Sequence, residues 1–95
     1  MEDILNMIID FRNKRGWDLT DNPENLAKSI IIEAAELLEN FQWGEVSKNE
    51  ENIKEEIADV LIYALVFALD QGYDVKKIIS DKLEKNAIKY PEKNT

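Results

Sequence analysis

Between Ile57 and Leu69 the chain carries thirteen consecutive residues, IADVLIYALVFAL, of which only Asp59 is charged. The run is too short to span a bilayer, yet at helical pitch its apolar side chains project in every direction. A helix of that kind must be covered on all sides. A chain of 95 residues has little else to cover it with, since so small a domain buries only about two-thirds of the surface its unfolded chain exposes. The expectation is an all-α chain whose exposed apolar surface is completed by a second copy. A looser core that hides the same surface within one chain is the alternative.

The remaining sequence reads as three further helices and no strand. The first runs from Glu2 to Lys14, with Ile4, Ile8 and Phe11 at helical spacing, and Gly16 ends it. The second starts at Pro23 behind Asn22, a good N-cap followed by proline at the first helical position. Leu26, Ile30, Ala34, Leu37 and Phe41 form its stripe, and it is expected to stop near Trp43 and Gly44. The third is expected to begin after Ser47, which with Glu50 fits a capping box, and to end at about Gln71 before Gly72. The fourth opens at Asp74 and closes near Lys89, because the residue before Pro91 is pushed out of helical geometry. Residues 1–91 then form one domain, and 92–95 are expected to be a disordered tail.

Composition narrows the chemistry. There is no cysteine and no histidine, which removes thiol chemistry, Ser-His-Asp catalysis, ordinary zinc sites and the Glu-x-x-His di-iron motif. The lack of cysteine fits a cytoplasmic protein, and Met1 to Leu5 lack the basic stretch and apolar core of a secretion signal. A net charge of −8 argues against a nucleic-acid polymer as partner, which needs a basic footprint. It does not exclude a nucleotide carried by divalent cations.

The acidic residues are not scattered. Glu33 and Glu36 lie three apart on the second helix, and Glu56 and Asp59 three apart on the third, so each pair projects from one side of its helix. A short connection makes these helices antiparallel neighbours, whose carboxylates can face one another. Four carboxylates brought together repel, and burying even one unpaired charge costs several kcal/mol. With oxygen ligands alone the compensating cation is Mg²⁺, Mn²⁺ or Ca²⁺. Solvated glutamates, and an Asp59 paired with a lysine, are the bland alternatives. Trp17 and Trp43 flank the second helix and are able to stack on a base, although tryptophan in a small domain is as readily core or interface. Tyr63 follows Asp59 by one turn. Lys82, Asn86 and Lys89 recur along the last helix, as phosphate contacts or as an ordinary polar face.

The string EAAELLENFQW (Glu33 to Trp43), followed by EEIADVLIYAL (Glu55 to Leu65), resembles the MazG-like nucleotide pyrophosphohydrolases, most nearly the short members related to the dCTP pyrophosphatases. RGWDLTDNPENLAKS (Arg15 to Ser29) is similar to that family's substrate segment, and KLEKNAIKYP (Lys82 to Pro91) to its C-terminal motif. The resemblance covers most of the chain in the expected order. It implies a four-helix fold assembled as a dimer or a dimer of dimers. It also implies Mg²⁺, with Mn²⁺ as a substitute, held by Glu33, Glu36, Glu56 and Asp59. Trp43 and Trp17 would enclose the base. Tyr63, Lys82, Asn86 and Tyr90 would contact sugar or phosphates, and Asn25 would lie near the substrate. Close relatives often carry a histidine two residues before the proline that opens the second helix. Here that position is Asp21, so no base preference is carried over.

The function so implied is metal-dependent hydrolysis of a nucleoside triphosphate to a monophosphate and pyrophosphate, with Glu33 or Glu36 as the catalytic base. Nucleotide-pool housecleaning is the family-level role. A non-catalytic helical dimerisation module is the competing class.

Overall fold

A computed structural model describes residues 1–44 and 49–93. It contains four α-helices, α1 (Glu2–Lys14), α2 (Pro23–Glu39), α3 (Glu50–Asp70) and α4 (Val75–Lys89), with one 3-10 turn, Trp17–Leu19, between α1 and α2. Among the described residues there is no strand.

Local chemistry sets the ends of these helices. Gly16, at φ +70°, takes the left-handed conformation that a side chain would resist, and turns the chain from α1 into the Trp17 turn. The Asn22 carboxamide accepts the Asn25 N–H at 2.8 Å. Asp74 accepts from Lys77 N–H at 3.0 Å to open α4. At the end of α3 the N–H groups of Gly72 and Tyr73 bond the carbonyls of Leu69 and Ala68, both at 3.0 Å, the paired pattern of a glycine-terminated helix.

Two boundaries differ from the sequence expectation. The α-helical part of α2 stops at Glu39 rather than near Trp43. Asn40, Phe41 and Gln42 instead donate to carbonyls three residues back, while the Asn40 side chain bonds Leu37 O at 3.2 Å. An asparagine that competes for the last carbonyls tightens the final turn. The expected cap at Ser47 lies outside the described residues, and the cap of α3 is Asn49, which accepts from Asn52 N–H at 3.0 Å. Of the expected tail, Glu92 and Lys93 carry no helix, and residues 94–95 lie outside the described residues.

The helices pack as an α2–α3 hairpin with two appendages. Asn40 at the end of α2 bonds Asn52 at the start of α3, and Glu33 lies beside Glu56 and Asp59 further along, so the two helices run antiparallel. Of the other helices, α1 comes within 8 Å, Cα to Cα, of α3 alone, and so does α4. Among the described residues only Leu26, Val66, Ala68 and Val75 are buried apolar residues. The radius of gyration is 16.3 Å, whereas a compact chain of this length has about 12 Å. The accessible surface is 7961 Å², about 2,300 Å² more than a monomer of this mass exposes. Leu61, Ile31 and Leu38 stand in solvent at 55%, 71% and 67% exposure. No helix among the described residues is long and apolar enough to cross a membrane.

Candidate metal centre and adjoining cavity

The antiparallel register of α2 and α3 brings Glu33 opposite Asp59, and Glu36 opposite Glu56. One carboxylate oxygen from each of Glu33, Glu56 and Asp59 lies within 4.8 Å of the other two. Glu36 is not in that triplet but stands close enough to both Glu33 and Glu56 to share a proton with either. All four acids expected from the sequence therefore meet at one place. Glu33 and Glu56 are half-buried, and Asp59 is exposed, which disfavours the alternative of a buried Asp59 paired with a lysine.

Burial and the neighbouring acids raise the affinity of Glu33 and Glu56 for protons. The Glu33 carboxyl is pushed above its ordinary value by desolvation, then by Glu36, Asp59 and Glu56. Glu56 is raised in the same way, by desolvation first, then by Glu36, Asp59 and Glu39. The Tyr63 hydroxyl, one turn from Asp59, is likewise raised by burial and by the surrounding acids. The Oε2 atom of Glu33 is buried and meets no donor. A buried carboxylate oxygen without a partner costs free energy that a coordinated cation or a shared proton recovers. An oxygen-only donor set suits a hard divalent cation.

Beside this centre lies a cavity of about 670 Å³. Met7, Phe11 and Arg12 of α1, with Trp17 and Asp21 of the following turn, form one wall. Asp59, Ile62, Tyr63 and Val66 of α3, with Ser29 of α2, form the other. Asp59 thus belongs to both cavity and acidic cluster. Trp17 packs edge-on against Phe11, ring centroids 5.8 Å apart. A flat aromatic ligand would find ring surface here and the acids at its end.

Of the residues expected to contact substrate, Trp17 and Tyr63 line the cavity. Asn25 is exposed in the first turn of α2, where its backbone N–H donates to the capping Asn22 side chain. Trp43 stands 92% exposed beyond α2. Lys82, Asn86 and Tyr90 belong to α4 or its C-cap, and none of them lines the cavity within one chain. Sequence reasoning passed over Arg12 and Asp70. The Arg12 guanidinium grips Asp70 with both Nη atoms at 2.7 Å and touches Asp21 at 3.5 Å. Nothing local marks a pair 58 residues apart.

The MazG-like family model matches residues 28–95. The dCTP pyrophosphatase 1 proteins of Rattus norvegicus and Homo sapiens are each 30% identical to 96% of this chain, and the chain spans about 59% of the length of these relatives. The crystal structure of a pyrophosphatase from Archaeoglobus fulgidus superposes with a TM-score of 0.88 at 42% identity, over 97% of this chain and 93% of that one.

Proposed function

The chain belongs to the MazG-like family, and from that premise we propose that it hydrolyses a nucleoside triphosphate to the monophosphate and pyrophosphate with the help of Mg²⁺. The observation that carries this is the convergence of Glu33, Glu56 and Asp59 within 4.8 Å at one end of an aromatic-walled cavity.

Glu33, Glu36, Glu56 and Asp59 would hold the metal, for which Mn²⁺ would be a substitute. Bound there, a divalent ion supplies charge compensation for the triphosphate and acidifies a water. The protein's own groups do the rest. Glu36 or Glu33 orients the attacking water and takes its proton. Trp17 and Tyr63 hold the nucleoside against the cavity walls and exclude water from the base.

The surface left open by one chain supports assembly as a homodimer or a dimer of dimers. About 2,300 Å² of excess surface per chain is on the scale of an obligate interface. In such an assembly Trp43, Lys82, Asn86 and Tyr90, which do not line their own cavity, serve a neighbouring copy's site, with Lys82 stabilising the leaving pyrophosphate. Nucleotide-pool housecleaning in the cytoplasm is the matching role.

The test is incubation with a panel of canonical and modified triphosphates plus Mg²⁺, with products resolved as monophosphate or diphosphate. Monophosphate and pyrophosphate in equal amounts, abolished by chelation, are expected. If no nucleotide is cleaved and none raises the melting temperature with Mg²⁺, the chain is a helical interaction module instead, because a ligand of the folded state stabilises by mass action.

A further inference from the structure

The two walls of the cavity are held together by little. Helix α1 contributes no buried residue, and its closest neighbour among the other helices is α3 alone. The strongest polar link between the walls is Arg12, whose side chain is only 11% exposed. Its fork takes both oxygens of Asp70 at the end of α3, each at 2.7 Å. The same Nη1 reaches Asp21 Oδ2 at 3.5 Å, on the segment that carries Trp17 and leads into α2. One guanidinium therefore ties α1, the Trp17 segment and α3 at the cavity wall.

Two further observations separate this link from ordinary packing. Arg12 Nε is buried without an acceptor, a cost that a bond selected for stability alone would avoid. Asp70 remains partly exposed, so the two-pronged bond contributes geometric specificity more than net stability. Asp21 and Asp70 also share one cation, so removing it sets two like charges beside each other and drives the Trp17 segment away from α3.

We infer that Arg12 is a positioning residue: through Asp70 and Asp21 it fixes the spacing between the Trp17 wall and the Tyr63 wall, and so sets affinity for the nucleoside part of the substrate. It rests on the function proposed above, yet makes a separate demand, because Arg12 touches none of Glu33, Glu36, Glu56 or Asp59 through a hydrogen bond or ion pair. The chemical step stays with those acids, and the loss falls on KM.

The experiment measures kcat and KM of the full chain with Mg²⁺ and the best triphosphate from the panel, for wild type, Arg12→Gln, Arg12→Lys and Asp70→Asn. Arg12→Gln and Asp70→Asn are expected to raise KM about tenfold with kcat held within about threefold, a loss on the order of 1.4 kcal/mol in ground-state affinity. Arg12→Lys keeps the charge but loses the fork, and lies between. Asp70→Asn keeps its volume and supplies the result should Arg12→Gln fail to fold. A lowered melting temperature with unchanged KM reduces Arg12 to a structural tie and overturns the inference, as does a fall in kcat alone. A wild-type chain that cleaves no triphosphate overturns the proposed function itself, and this inference with it.

Discussion

Asn52 Nδ2, in the first turn of α3, donates a 2.8 Å hydrogen bond to Oδ1 of Asn40, the C-cap of α2. The bond closes the α2–α3 hairpin one turn from Glu36 and Glu56. Asn40 also donates to Leu37 O, so its amide is fixed at both ends. This cross-link sets how far α2 slides along α3, and hence whether Glu36 meets Glu56 and Glu33 meets Asp59. Replacing Asn52 by Ala should cost about 1 kcal/mol, a fall in melting temperature of about 4–8 °C for a domain of this size. Calorimetry measures it, and a parallel Mg²⁺ titration should show weaker binding. An unchanged Mg²⁺ affinity would mean that the hairpin register is fixed elsewhere.

Acids gathered for a cation oppose folding when the cation is absent. Glu56→Gln removes one charge from the cluster and is expected to raise the melting temperature of the metal-free protein while removing most activity. Glu36→Gln and Asp59→Asn should also lose most activity, with helical content by circular dichroism intact. Wild-type hydrolysis rates in the Glu36→Gln and Asp59→Asn variants would place the active site elsewhere.

The pH dependence has a definite sign. Glu33 and Glu56 titrate above their ordinary value of 4.5 in the folded chain. In the window above 4.5 the folded state holds more protons than the unfolded state, so their contribution to stability falls as pH rises. It is fully present below the ordinary value and lost above the raised one. Urea unfolding in chelator should therefore show this pair's contribution declining from acid to neutral pH, and Glu56→Gln should flatten the decline. Saturating Mg²⁺ should reverse the trend, since the metal binds the deprotonated cluster. A wild-type curve in chelator that parallels that of Glu56→Gln at every pH would show the cluster to be electrostatically relaxed.

The hairpin and its acids were legible because both depend on local spacing. Carboxylates three apart share a helix side whatever the tertiary context, and Asn22, Gly72 and Asp74 act on their own helix ends. Even the errors were local, since Asn40 tightens the turn that the apolar stripe to Phe41 would have continued. Arg12 and Asp70 were not legible, because a bidentate ion pair between α1 and the end of α3 leaves no periodic trace in either segment. Nor does helical spacing fix where Trp43 or the Lys82–Tyr90 face of α4 lies relative to the acids. Trp43 stands in solvent and α4 approaches α3 alone, so under the proposed assembly both placements depend on a neighbouring copy.

That dependence is open to direct measurement. Ile31 and Leu38 lie two turns apart on one side of α2 and are 71% and 67% exposed in the single chain. Apolar residues of this size are worth about 1.5–3 kcal/mol each when fully buried, so a face that carries both is a strong contributor to association. Wild-type protein should sediment as a dimer or larger at micromolar concentration. Leu38→Asp places a charge on that face and should shift the population towards monomer, with association weakened tenfold or more. If Trp43 and α4 serve a neighbour's site, hydrolysis should fall in proportion to the monomer fraction and recover as protein concentration is raised. A fully active monomeric variant would return Trp43 and Lys82 to the surface of their own chain, with no part in the reaction.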